Sequence, residues 1–579
     1  MGRRKQRRKV GKKDVENSKR RSGGRSGDPW DGKAKGQKPH TWKAFRTPDY
    51  PTRRAPVYRE QGTAQLLREG PKGLNVMNLP QLSLLPLVCV ACSIGFLLWH
   101  YRRKHKGIPP GPIGLPVLGY VPFLGPHPQD AFIALGKRYG NVFSFYMGSQ
   151  LTIVLNDYHA VKAAFSEQAD TFNGRAGGFV STYIRQDTKG KTHGLGAPHG
   201  KTWKDGRRFM IQTLRDLGMG RSHLQSRIIE EADRLIDTFL QFNGQSFDPA
   251  PWLYAFSGSI IGSLLFGPGY DRTDPAFTAT MARLRENDQF RALTWPLQCF
   301  PWLRHVPGPF KRLWGMVVAN TQQILLFMRC QVAEHRSTHP AKEEARDYIQ
   351  AFLNKQISLQ ETGVTELQAF EDEELIQSLR GLSSAGVVTS ASTMSWLLFY
   401  LLHNCHVQEK IHQELDRAIE SGQSVTIEDR VKLPYLEAVI REAQRLGNVS
   451  PLGLPHTNHR ETTLLGHRIP ANSFIIANYK AVHVDPAFWH APHEFDPTRF
   501  LDKDGRINEP AHFMPFSIGK RACGGEALAR MVLFLFTANI LQRLRITGPT
   551  DRPLPPSTAS VTFLHTTPAA FSMRAFART

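Results

Sequence analysis

At 579 residues the chain can bury an ample core, and its 41% hydrophobic and 10% aromatic content excludes a wholly disordered polymer. The net charge of +24 is uneven, since residues 1–76 carry 22 Lys/Arg against 7 Asp/Glu, about +15 of the total. Six scattered cysteines give no paired spacing for a disulfide framework or a zinc site. The basic tail has no zinc-finger, homeodomain or basic-zipper pattern behind it, so no nucleic acid partner is expected.

Residues 1–76 read as a basic, disordered extension. The run 79–99 is apolar and free of charge, long enough to cross a hydrocarbon core as a single transmembrane helix. The following Tyr101-Arg102-Arg103-Lys104-His105-Lys106 favours a retained anchor over a buried core helix. That cluster places the C-terminal portion in the cytosol, whereas the heavier charge of 1–76 argues for the opposite orientation. Translation from Met77 removes the conflict: the protein then begins with its anchor, and 1–76 is no part of the natural product. An Arg-rich transit peptide is the rival, opposed by Asp14, Glu16, Asp28 and Asp31. Residues 100–117, with Pro109-Pro110-Gly111-Pro112, Gly114 and Pro116, form a basic, proline-rich hinge. Residues 118–579 read as one large domain, mainly α with small β-sheets. Stretches 224–242 and 368–420 have helical periodicity, and 150–155 and 473–478 are β-like.

Four groupings in that domain carry chemistry. Trp203 and Arg207 are four apart on one helical face. Glu442 and Arg445, three apart on another, can pair, although such a pair read alone is equally a solvated ion pair. In 371–402, Ala385 and Gly386 are small enough to admit a flat ligand against the helix, or to pack against another element. Near the C-terminus stands Phe516-Ser-Ile-Gly519-Lys-Arg521-Ala-Cys523-Gly-Gly525-Glu526, followed by a helical run over 527–541. Its glycines permit a tight turn with backbone donors close to the sulfur. A helix beginning just beyond would turn its positive end to a thiolate and lower the thiol pKa. Arg521 adds a cation, and Phe516 can shield the sulfur from water. An isolated Cys-Gly would be a free cysteine in a turn; this fuller set meets the needs of a thiolate iron ligand.

The spacing Phe-x-x-Gly-x-Arg-x-Cys-x-Gly resembles the haem-binding signature of the cytochrome P-450 superfamily, and 513–541 looks like the microsomal family 2 enzymes of animal type. The resemblance extends over roughly 79–579. It implies a cytochrome P-450 fold binding haem b (iron protoporphyrin IX), with Cys523 as the axial iron ligand pushing electron density toward the metal. It implies a buried triad of Glu442, Arg445 and Arg499. It also implies an oxygen-activating groove at Ala385 and Gly386, with Thr389 in the proton-delivery position. Arg175, Trp203, Arg207, His456 and Arg521 form the expected propionate cradle, and Phe516, Gly519 and Gly525 complete the cofactor contacts.

The implied reaction is insertion of one oxygen atom of O2 into a hydrophobic substrate such as a fatty acid, steroid or xenobiotic, with electrons from NADPH. The implied partners are an NADPH-dependent diflavin reductase, cytochrome b5 as a further candidate donor, and the membrane. The implied place is the endoplasmic reticulum membrane with the catalytic domain facing the cytosol, a mitochondrial location being the rival. Pocket walls are expected in 172–190, 283–300, 378–390, 452–456 and 560–567, with Phe172, Phe179, Phe290 and Phe563 among them. Two positions depart from the family pattern. Val388 stands where an acid is usual, which leaves open a haem-thiolate isomerase or dehydratase acting on peroxides. Gly524 stands where a larger apolar residue is usual. A non-catalytic, membrane-tethered haem protein is a third reading.

Overall fold

Helices dominate because the long apolar repeats keep a 3.6-residue period with few interior breakers, while the strands are short runs between turns. The computed structural model describes residues 88–90, 92–93, 95 and 106–578, apart from 188, 197–199, 219–221, 268–272, 292, 339–342, 364–367 and 563–564. These residues belong to the compact unit Leu87–Thr579. The expected extension 1–76, most of the anchor 79–99, and Phe563 lie outside the described residues.

The longer helices are α1 (Pro128–Tyr139), α2 (Lys201–Asp216), α3 (Ser222–Leu240), α4 (Ala250–Phe266), α5 (Pro275–Arg291) and α6 (Pro309–Thr338). They continue with α7 (Tyr348–Glu361), α8 (Asp372–His403), α9 (Cys405–Ala418), α10 (Pro434–Gly447) and α11 (Glu526–Arg543). The helical stretch expected over 368–420 is in fact two helices. Asn404 leaves the helical region (φ −128°, ψ 64°), and its side-chain amide donates to Tyr400 O (2.9 Å), ending α8. Among the described residues α8 alone is long and apolar enough to cross a membrane, but 83% of its apolar window is buried, which makes it the core helix. Its neighbours include α4, α10, α6 and α11. The largest apolar cluster surrounds it, from Leu379 and Leu397 to Phe534 and Phe536.

The main sheet has five strands in the order β1 (Val142–Met147), β2 (Gln150–Leu155), β7 (Phe474–Ala477), β4 (His456–Thr457) and β3 (Gly174–Arg175). β2 and β7 are parallel, with Thr152 opposite Phe474 and Leu155 opposite Ala477. β3 and β4 are antiparallel, which sets Arg175 directly across from His456. Three two-stranded ribbons complete the sheets: β5 (Thr462–Leu464) with β6 (His467–Ile469), β8 (Leu544–Thr547) with β11 (Arg574–Ala577), and β9 (Ser560–Thr562) with β10 (Thr566–Pro568). A second apolar cluster under the main sheet includes Phe165, Phe172, Ile475 and Met514. Phe172 is only 1% exposed there, so its ring is core and not the pocket wall that was expected.

Candidate active site

The cysteine loop is shaped by backbone conformations that few residues accept. Ser517 (φ +62°) and Gly519 (φ +78°) are both left-handed. A Cβ on Gly519 would collide with the Phe165 carbonyl, so only glycine fits. The loop closes where Cys523 N donates to Phe516 O (2.8 Å), and Gly525 then caps α11. The Cys523 side chain is solvent-accessible, yet it lies deep among protein atoms that hinder its ionisation. Burial pushes its thiol pKa up, and Glu526 adds to the rise, while the Gly525 N–H and the Arg207 charge act in the opposite sense. The lowered pKa expected from the helix and Arg521 is therefore corrected, because desolvation outweighs both favourable groups, and Arg207 is the cation acting on the sulfur.

Arg521 belongs to a separate cluster. Its guanidinium carbon lies 3.5 Å from the centroid of the Trp203 ring, and its Nε donates to Asn173 O (2.7 Å). Arg175 donates through Nη1 to Leu454 O (2.6 Å) and through Nη2 to Arg521 O (3.4 Å), and Arg207 donates to Ala522 O (2.6 Å). These acceptors are neutral carbonyls. Burial, reinforced by neighbouring arginines, lowers Arg175 to about 10 and Arg521 to about 9. His456 Nδ1 is 2.7 Å from Phe172 O, which assigns the proton to that nitrogen, and its ring stacks on Phe165 at 3.8 Å. Burial, then the Arg175 charge, holds His456 well below its usual pKa and therefore neutral. Three guanidinium groups crowded beside an indole and an accessible thiol suit an anionic ligand that also offers a metal to sulfur. A flat macrocycle with two carboxylates fits that donor set.

On α8, Ala385 is exposed and Thr389 half-buried, although the helix around them is largely enclosed. Thr389 Oγ1 donates to Ala385 O (2.6 Å), so its proton is held within the helix. Val388 is fully enclosed. Gly386 takes up the packing alternative: a Cβ there would come within 2.5 Å of Ile261 Cδ1 on α4, so its small size lets the two helices approach.

The structure brings Glu442, Arg445 and Arg499 together. Arg445 Nε and Nη2 each donate to a Glu442 oxygen at 2.7 Å, and Arg499 Nε reaches the same carboxylate at 3.1 Å. Arg445 Nη1 also donates to His483 O (2.7 Å) and Pro492 O (2.8 Å). Sequence reasoning missed His483. Its Nε2 accepts from Met514 N (3.0 Å), joining the triad to the segment that leads into the cysteine loop. No motif announces that link, because it depends on a buried ring meeting a backbone donor thirty-one positions away.

A sequence model of the family described as Cytochrome P-450 matches residues 109–573. Cytochrome P-450 2A9 of Mesocricetus auratus is 35% identical over 464 residues, covering 79% of this chain and 91% of that protein. Cytochrome P-450 2J2 of Homo sapiens is 35% identical over 482 residues (82% and 92%), and cytochrome P-450 2H1 of Gallus gallus is 34% identical over 483 (83% and 95%).

Proposed function

Because the chain belongs to the cytochrome P-450 family, whose members bind haem b through a cysteine thiolate, we propose that Cys523 is the axial thiolate here. The protein is a haem-thiolate monooxygenase acting on hydrophobic substrates with O2 and a redox partner. The peroxide-isomerase and non-catalytic readings are not favoured by that membership. The observation that carries the residue assignment is the crowding of Arg175, Arg207 and Arg521 around Trp203, beside the accessible Cys523.

In this reading Arg175, Trp203, Arg207, His456 and Arg521 hold the propionates. Phe516, Gly519 and Gly525 shape the loop, and Glu442, Arg445 and Arg499 secure the core beneath it. When bound, haem supplies the activation of O2, one atom entering the substrate and the other leaving as water at the cost of two electrons and two protons. The Gly525 N–H and Arg207 stabilise negative charge on the sulfur. Thr389 must turn its hydroxyl away from Ala385 O to pass a proton outward, and with Val388 enclosed the adjacent position offers no acid.

The fatty acid, steroid and xenobiotic classes all suit walls rich in apolar side chains. Two of the expected wall segments meet where His565 Nδ1 lies 2.8 Å from Asp288 Oδ1, adding one polar point among them. The NADPH-dependent diflavin reductase, with cytochrome b5 beside it, is the proposed electron source. Lys520, beside the cysteine loop, is an exposed cation paired with Asp170 at the surface. In this reading 79–99 is the anchor, 100–117 the hinge and 118–579 the catalytic domain, held at the endoplasmic reticulum with its active site toward the cytosol, and 1–76 is a basic extension that translation from Met77 leaves out. In support, Ile113, Val117 and Phe123 are exposed, as are Leu293, Trp302 and Val306. The two runs adjoin at Gly148, whose Cβ position lies 3.5 Å from Cys299 Cβ and 3.8 Å from Val117 O.

The test is the carbon-monoxide difference spectrum of the reduced protein. A strongly red-shifted Soret band is expected, lost in Cys523→Ala, with product formation dependent on NADPH and reductase. A band typical of nitrogen-ligated haem in the parent protein would refute the assignment.

A further inference from the structure

The residues on either side of Cys523 are gripped by a single helix. Arg207 of α2 holds the carbonyl of Ala522, immediately before the cysteine (2.6 Å). Met210, three positions further along α2 and therefore on the same face, covers Gly524, immediately after it. A Cβ on Gly524 would lie 2.5 Å from Met210 Cε, 3.5 Å from Arg207 Nη1 and 3.9 Å from Ile211 Cγ1. Met210 is 5% exposed and belongs to the large apolar core around α8, so its backbone and inner side chain are fixed by packing. The thioether end fills the volume that a side chain on residue 524 would occupy, and an unbranched, polarisable side chain is well suited to an irregular gap of that kind.

We infer that Met210 is a positioning residue for the thiolate: it replaces from α2 the side chain that Gly524 lacks, and with Arg207 it fixes the backbone on both sides of Cys523. This rests on the reading of Cys523 as the axial ligand. The consequence is a reciprocal size constraint. Gly524→Ala displaces only the mobile Met210 methyl and is tolerated. Gly524→Leu forces the whole Met210 side chain out of its site, and Met210→Ala leaves the loop unsupported over Gly524. Combining Met210→Ala with Gly524→Leu returns the volume to the loop side of the same contact.

The experiment uses the full chain loaded with haem. It records the red-shifted carbon-monoxide band and the rate at which that band converts to the nitrogen-type position in mild urea. Met210→Ala is expected to speed the conversion, Gly524→Leu to lose most of the red-shifted band, and the double variant to regain both the band and the slower conversion. Effects that simply add in the double variant, with the parent spectrum normal, would overturn the inference and leave the thiolate assignment standing. Loss of the red-shifted band in the parent would defeat that assignment as well. Should Gly524→Leu fail to fold, recovery of folded, thiolate-ligated protein in the double variant is itself the expected rescue, and failure of both counts against it. Met210→Leu, which keeps the volume, is expected to convert at nearly the parent rate, whereas conversion as fast as in Met210→Ala would also count against it.

Discussion

Arg445 carries a permanent charge yet is fully enclosed, and so is its partner Glu442. Two hydrogen bonds to the carboxylate and others to the carbonyls of His483, Pro492 and Glu494 use much of the guanidinium's donor capacity. The pair survives burial because its polar atoms are extensively matched. Replacing one member strands the other, so Arg445→Met is expected to cost about 3–5 kcal/mol, read as a fall in the denaturant midpoint together with the yield of haem-loaded protein. The same logic explains why the thiol of Cys523 is hard to ionise before a metal is present. Its favourable neighbours are one N–H and one guanidinium, too few to offset the loss of water.

Among the elements, α2 and α8 work by periodicity. Trp203, Arg207 and Met210 follow one another at four- and three-residue steps, which directs all three to the face that meets Arg521 and the cysteine loop. On α8, Ala385 and Thr389 share an accessible face while Gly386, one position on, turns toward α4. Gly386→Ala is expected to destabilise by about 1–3 kcal/mol through contact with Ile261. Ile261→Val, which removes the methyl nearest the new Cβ but keeps Cγ1 at 2.9 Å, should relieve part of that cost in a thermal-unfolding cycle. Near the start of the same helix, His193 bridges Glu374 and Asp187 at 3.0 Å each, and Gly194 N donates to Glu374 (2.8 Å). These contacts pin the segment just beyond 172–190 onto α8.

For the whole molecule, acid is the informative stress. Burial, and then the Arg445 charge, lower His483 to about 3, against about 6.5 in an unfolded chain. Between those values the unfolded chain binds more protons. His483 therefore contributes stability that is complete above pH 6.5 and is lost as pH falls toward 3, at up to about 1.4 kcal/mol per pH unit. Asp429 and Glu509, lowered against burial by hydrogen bonds and charge contacts with their basic neighbours, act in the same direction but only below the ordinary carboxylate range. The drop in unfolding midpoint between pH 6.5 and 5.5 should therefore shrink in His483→Gln and change little in Glu509→Gln.

What could be read from the sequence follows the reach of its signals. The cysteine loop, the spacing of Glu442 and Arg445, and strand β2 are local patterns, and β2 is found at the short β-like run 150–155. The break at Asn404 was hidden because apolar periodicity continues across it. The roles of Met210 and His483, and the packing partner of Gly386, were invisible because each is set by a residue distant in sequence: Gly524, Met514 and Ile261.

That dependence also has a temporal side. Arg175 is paired with His456, β2 with β7, and Gly519 is seated against the Phe165 carbonyl. Each of these contacts joins an early part of the chain to a late one. At translation speeds of about 5–20 residues per second, Arg175 leaves the ribosome roughly 15–60 s before the strand that completes its side of the pocket. Throughout that interval the edge of β2 has no partner on its β7 side, and no cradle exists to capture haem. In the proposed reading cofactor loading follows synthesis of the last of these strands, and until then the sheet edge is exposed to wrong pairing.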